Sequence, residues 1–226
     1  MEMNSTRYRL HENIPFRSKK IVLIVQSGQM GKFDEEGAEG ERKLYDQLEA
    51  SLVEEKIGVC RFDFPDRVNR RESISDEEYR DRASRLSAVY QRIKTAHPAC
   101  GLTFIGMSLG ANLVLEKLQS VTSPSSAVLI GLYVDEPVTV AEQVEAISLV
   151  YGSEDYIAFG ENISLANLIA PAKYSQTVRS CINSAAPVQT SILKGLGHSL
   201  NPMNSEAEGP IARLVRLVGG GKSIHE

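Results

Sequence analysis

Gly106-Met107-Ser108-Leu109-Gly110 is a G-x-S-x-G segment, and its neighbours decide what the serine can do. Before it runs Gly101-Leu102-Thr103-Phe104-Ile105, short, apolar and partly β-branched, the pattern of a strand. After it, Ala111 to Leu118 (ANLVLEKL) repeats apolar residues at helical spacing. A serine on a sharp strand-to-helix turn has an exposed hydroxyl, and crowding of the backbone there favours glycine on both sides. The helix start beside it offers backbone N–H groups that can stabilise a developing oxyanion. Ser108 is therefore a candidate nucleophile and the N–H of Leu109 a candidate oxyanion donor. The same residues would also suit a glycine-rich turn in which Ser108 merely caps the helix. The rest of the chain must separate the two readings.

A serine hydroxyl is a weak nucleophile and needs a base, most often an imidazole. Of the four histidines, His11 lies in the N-terminal region, His97 ends a surface helix, and His225 is next to the last residue. Only His198 follows a strand-like run, in the loop Gly195-Leu196-Gly197-His198-Ser199. Loops at the carboxyl ends of strands are where α/β sheets collect functional groups. The imidazole in turn needs a carboxylate on its other nitrogen. Asp155 is the leading candidate, because it follows the strand AISLVY in the turn Gly152-Ser153-Glu154-Asp155. Glu154 is adjacent, and Asp135 and Glu136 follow the preceding strand as fallbacks. A second oxyanion donor is expected in Ser27-Gly28-Gln29-Met30, from the N–H of Gln29 or, alternatively, Met30.

These residues need a frame of alternating strands and helices. Lys20 to Gln26 (KIVLIVQ) is almost continuously apolar, as in a strand buried on both faces. Glu41 to Glu55 is an amphipathic helix through Leu44, Tyr45, Leu48, Leu52 and Val53. Ile57 to Phe64 forms the next strand and stops at Pro65. Ser75 and Glu78 form a capping box for a helix that runs to Ala96. Beyond the elbow come strands at Ser126–Val134 and Ala146–Tyr151, a helical region over Ser164–Ser184, a strand at Val188–Lys194 and a helix at Glu208–Val218. This alternation predicts an α/β fold with a parallel sheet and helices on both faces. Residues 1–19 read as an N-terminal extension, 20–218 as a single domain and 219–226 as a flexible tail.

Composition narrows the function classes. A chain of 226 residues can bury the core of one α/β domain. A net charge of −4 supplies no basic patch for nucleic acid. No apolar run approaches the roughly 18 residues that a membrane span requires. The polar start MEMNSTRYRLHENIPFRSKK lacks the apolar run of a secretory signal, so a cytoplasmic location is the default expectation. Cys60, Cys100 and Cys181 are widely spaced and odd in number, which argues against a disulfide framework or a Cys-x-x-Cys metal site. No cofactor or metal is expected, and Cys60 reads as a core residue.

Taken together, the GMSLG elbow, YGSED, GLGHS and the order Ser, Asp, His resemble the α/β-hydrolase superfamily over nearly the whole chain after about Lys19. RFDFPDRVNRRES is similar to the family's segment after the strand preceding the elbow strand. The resemblance implies Ser108 as nucleophile, His198 as base and Asp155 as acid. Two departures stand out. Ser27-Gly28 occupies the place of the family's common His-Gly, and the charged Pro65-Asp66-Arg67-Val68-Asn69-Arg70-Arg71 replaces the usual glycines. Those arginines either face solvent or meet an anionic substrate. Between the strands at Ser126–Val134 and Ala146–Tyr151 there is too little chain for a lid domain. The resemblance thus points to small capless esterases, thioesterases and dienelactone-hydrolase-like enzymes acting on a small-molecule acyl substrate. Acyl transfer or peptidase activity through the same triad, and a non-catalytic binding protein of the same fold, are the alternatives.

Overall fold

A computed structural model describes residues 8–36, 40–65, 74–158, 168–207 and 209–219. In chain order its elements are β1 (Leu10–Asn13), β2 (Lys20–Val25), α1 (Glu41–Glu54), β3 (Gly58–Phe62), α2 (Asp76–Ala96), β4 (Gly101–Met107) and α3 (Leu109–Leu118). There follow β5 (Ser125–Ile130), β6 (Val138–Thr139), β7 (Val144–Gly152), β8 (Ile157–Ala158), β9 (Leu168–Ile169), α4 (Pro171–Cys181), β10 (Ile182–Asn183), β11 (Val188–Leu193) and α5 (Pro210–Gly219).

Seven strands form one sheet in the order β1-β3-β2-β4-β5-β7-β11, parallel except for β1, which runs antiparallel to β3. The elbow strand β4 lies at the centre, with three strands on each side. Such a strand is covered on both faces, so its apolar residues do not alternate with polar ones. Leu102 to Met107 are all buried, and even Thr103 is enclosed.

Two apolar layers cover the two faces of the sheet. On one, Leu23, Phe104 and Leu129 meet α2 and α3 through Leu86, Tyr90 and Val114. On the other, Val22, Ile105 and Val128 meet α1 and α5 through Leu48, Leu52 and Leu214. Cys60 lies in the first layer, and its burial pushes the thiol up to about 12. Cys60, Cys100 and Cys181 are all free thiols.

Local signals account for most boundaries. Ser75 accepts from the Glu78 N–H at 3.2 Å while Glu78 accepts from the Ser75 N–H at 3.0 Å, a complete capping box. The strand expected over Ser126–Val134 ends at Ile130, because Gly131 turns the chain with φ +61°. Residues 10–13, assigned by sequence to an extension, instead add the edge strand β1, where His11 pairs with Arg61. Their alternation is too short and too polar to read as a strand without the partner β3. The region expected to be helical over Ser164–Ser184 holds α4 flanked by the short strands β9 and β10. Residues 66–71 of the charged loop, Glu208 and the tail from Gly220 onward lie outside the described residues.

The chain between β5 and β7 carries only the two-residue β6, so no lid is inserted there. No helix among the described residues is long and apolar enough to cross a membrane.

Phe104 is completely buried in the central strand and stacks on Tyr90 of α2 at 5.9 Å between ring centroids. Phe104→Ala is expected to destabilise the fold by about 3–5 kcal/mol, because the cavity left between sheet and helix cannot close. Urea unfolding of the two proteins measures this.

Candidate active site

β4 ends at Met107 and α3 starts at Leu109, so Ser108 alone makes the turn. Its backbone sits at φ +53°, ψ −118°, a conformation that costs a non-glycine residue about 1–3 kcal/mol. The strain is held by hydrogen bonds. Ser108 N–H donates to Ile130 O at 2.8 Å, and its carbonyl accepts from Ala111 N–H at 2.9 Å. The glycines on either side are required by close approach. A methyl on Gly106 would stand 2.6 Å from Gly110 O, and one on Gly110 would overlap the Val25 carbonyl oxygen. The tight turn leaves Leu109 at the first position of α3, where helix N–H groups have no intrahelical acceptor.

His198 and Asp155 come together from neighbouring strands. Leu193, the last residue of β11, pairs with Gly152, the last of β7. Both following loops therefore leave the sheet at the same level and fasten to one another. Ser153 N–H donates to Leu193 O at 2.8 Å, Glu154 N–H to Leu196 O at 2.9 Å, and Gly195 N–H to Ser153 Oγ at 2.9 Å. Asp155 is buried, with its carbonyl accepting from Tyr174 OH at 2.9 Å. Its Oδ1 lies 2.9 Å from His198 Nδ1, while the imidazole is 47% exposed. The hydrogen bond to Asp155 raises the His198 pKa above its ordinary value; burial opposes it, and the charges of Asp155 and then Glu41 add to the rise.

The other acids lie elsewhere. Glu154 accepts from Ser153 Oγ at 2.9 Å, and Asp135 lies in an exposed turn 3.5 Å from Tyr133 OH. Glu136, the remaining fallback, is exposed in that turn. The other described histidines are remote in role: His11 contacts Glu49 at 2.7 Å and stacks on Phe33, and His97 ends α2. No hydrogen bond joins Ser108 Oγ to His198 among the described residues. The two are linked through one short backbone segment instead. Ile130 accepts from Ser108 N–H, and the next residue, Gly131, packs under the His198 ring.

Gly28, after β2, faces the elbow: a methyl there would stand 3.3 Å from Leu109 Cβ and Cδ2. Gln29 N–H donates to Ser27 Oγ at 3.3 Å, and Met30 is fully buried beneath the loop. Ser27 is held by Glu41, whose side chain accepts from Ser27 N–H at 2.9 Å and Ser27 Oγ at 2.7 Å. A cavity of about 550 Å³ opens beside the histidine loop, between Lys43, Leu44 and Gln47 of α1 and Leu200, Pro202 and Met203.

Sequence reasoning missed Gly131, Ser153 and Glu41. Gly131 had a signal, a glycine just after an apolar strand. An acid at the first position of a helix reads as a partner for the helix dipole, so nothing marked Glu41 as buried.

Solved structures share this fold. An alpha-beta serine hydrolase homologue from Coxiella burnetii matches with TM-score 0.60 and 15% identity, covering 93% of this chain and 89% of the other. A serine hydrolase without lid from Xanthomonas campestris matches with TM-score 0.57 and 16% identity over 94% and 85%. Dienelactone hydrolase from Anabaena variabilis matches with TM-score 0.60 and 13% identity over 97% and 92%. By sequence the chain matches no family profile and no curated protein. The described residues have the α/β-hydrolase fold, with no lid between β5 and β7.

A methyl at position 131 would lie 2.7 Å from His198 Cε1. Gly131→Ala is therefore expected to displace the ring from Asp155, lowering the His198 pKa toward its ordinary value. NMR titration of His198 measures the shift, and an unchanged pKa would count against this packing.

Proposed function

We propose that the protein is a serine hydrolase of carboxylic esters or thioesters, with Ser108 as nucleophile, His198 as base and Asp155 as orienting acid. The observation that carries the reading is the hydrogen bond between His198 Nδ1 and buried Asp155 beside a serine held on a strained turn. Structural neighbours described as a serine hydrolase homologue, a dienelactone hydrolase and an esterase domain from Rhodothermus marinus support a hydrolase of this fold.

Ser108 Oγ attacks the acyl carbonyl as its proton passes to His198 Nε2. Asp155 keeps the Nδ1 proton in place and stabilises the imidazolium. The tetrahedral oxyanion receives the N–H of Leu109 and a second amide from the loop after β2, that of Gln29 or Met30. Collapse expels an alkoxide or thiolate, which takes the proton from His198. Water then gives His198 a proton as it attacks the acyl-enzyme, and that proton returns to Ser108 as the acid leaves. That no lid is inserted between β5 and β7 supports water as the acceptor, and so hydrolysis over acyl transfer.

A fluorophosphonate probe is expected to label the wild type and spare Ser108→Ala. Equal labelling of both would remove the assignment. Turnover of p-nitrophenyl esters of graded chain length, beside acyl-CoA substrates, separates ester from thioester preference.

The reaction needs His198 neutral, so kcat/KM should fall on the acid side through its pKa. Asp155 raises that pKa, so the acid limb is expected above the ordinary histidine value of 6.5. Asp155→Asn should lower kcat by about 10⁴-fold and move the acid limb of the residual activity to lower pH. A pH–rate profile that keeps its midpoint in Asp155→Asn would contradict the pairing.

A further inference from the structure

Glu41 is a fully buried acid at the first position of α1. A buried carboxylate is tolerated when donors surround it. Ser27 supplies two, its N–H at 2.9 Å and its hydroxyl at 2.7 Å, and Tyr45 OH supplies a third at 2.8 Å. Burial, then the charge of Glu41, pushes the Tyr45 pKa well above its ordinary range, so this phenol remains a donor. The start of α1 adds its helix dipole, which favours negative charge there.

Every polar group of Ser27 is engaged. Its hydroxyl donates to Glu41 and so turns a lone pair to the Gln29 N–H, 3.3 Å away. Its carbonyl accepts from Arg82 Nη1 at 3.4 Å, the guanidinium of Arg82 lying 4.5 Å over the Phe64 ring. The far side of the loop is closed at Gly31, whose carbonyl accepts from Phe64 N–H at 2.6 Å and Gln26 Nε2 at 3.0 Å. Between these two anchors the loop carries Gly28 against Leu109 and both candidates for the second oxyanion amide.

We infer that Glu41 is a positioning residue, holding Ser27 by both backbone and hydroxyl so that the loop presents an amide to the oxyanion opposite Leu109. This role rests on the serine-hydrolase reading. It puts a buried carboxylate against Ser27, the residue that with Gly28 stands where the resembling family commonly has His-Gly. Since the oxyanion exists only in the transition state, loss of the tether should act on kcat and leave ground-state binding alone.

Glu41→Gln keeps the size of the side chain but removes one of the two oxygens that face Ser27. It is expected to lower kcat for a p-nitrophenyl ester by about 10–100-fold with KM within about threefold, a loss like that of a weakened oxyanion donor. An unchanged kcat, or a loss confined to KM, overturns the role. Ser27→Ala removes the hydroxyl link from the other side and should give a loss of the same kind. The double variant should be no worse than about twofold below the poorer single, whereas multiplied losses overturn the shared tether. Hydrogen exchange reads the loop without turnover: amides 27–31 should exchange faster in Glu41→Gln, and equal rates overturn the tether. A wild type that neither takes the fluorophosphonate nor turns over ester overturns the hydrolase reading and the oxyanion role with it. A labelled, active wild type beside a Glu41→Gln variant of equal kcat overturns the role of Glu41 alone.

Discussion

The first turn of α3 approaches β2 and β4 so closely that no side chain fits between them, and the geometry around Ser108 follows from that contact. Gly110 lies against the carbonyl of Val25, and Gly106 against the carbonyl of Gly110. With the helix pressed onto the sheet, one residue must reverse the chain, and Ser108 takes a backbone conformation that is unfavourable outside glycine. The hydrogen bond from its N–H to Ile130 offsets part of this cost and anchors the turn to the neighbouring strand. Gly28 lies against the Leu109 side chain at the same turn.

The histidine and its acid are placed by a different device. β7 and β11 end level with each other, and the loops beyond them share three hydrogen bonds through Ser153, Glu154, Leu193, Leu196 and Gly195. These bonds fasten the two loops into one unit. Asp155 is buried within it while His198 remains partly open to solvent. Gly131 links this unit to the elbow, since its lack of a side chain lets the ring lie over the turn that follows β5.

Charge is distributed differently on the side of the loop after β2. There a buried carboxylate, Glu41, binds neutral donors, and its field reaches His198 as well. In the segment that resembles the family's Arg-Phe-Asp-Phe run, Arg61 and Asp63 tie β3 to the chain after β2. Arg61 contacts Asp46 at 2.7 Å and the Phe33 carbonyl, and Asp63 accepts from the Phe33 N–H at 3.1 Å. These polar ties hold irregular chain to the sheet, where backbone groups would otherwise lack partners.

Much of this protein was legible in its sequence. The alternation of apolar runs and amphipathic helices, the Ser75–Glu78 capping box and the glycines around Ser108 are local features, each determined by residues within a few positions of one another. The order of Ser108, Asp155 and His198 at strand ends was visible for the same reason. Tertiary structure decided the rest. β1 became a strand only because β3 offered it a partner, and the strand expected over residues 126–134 stopped at Ile130, where Gly131 turns the chain beneath the His198 ring. The choice of Asp155 over Glu154 and Asp135 at the histidine, and the burial of Glu41 beneath Ser27, depend on hydrogen bonds between residues distant in the chain. Sequence periodicity reports which way a side chain faces on its own element. It carries no record of what the facing element places there, and at this site that is where the carboxylates were assigned.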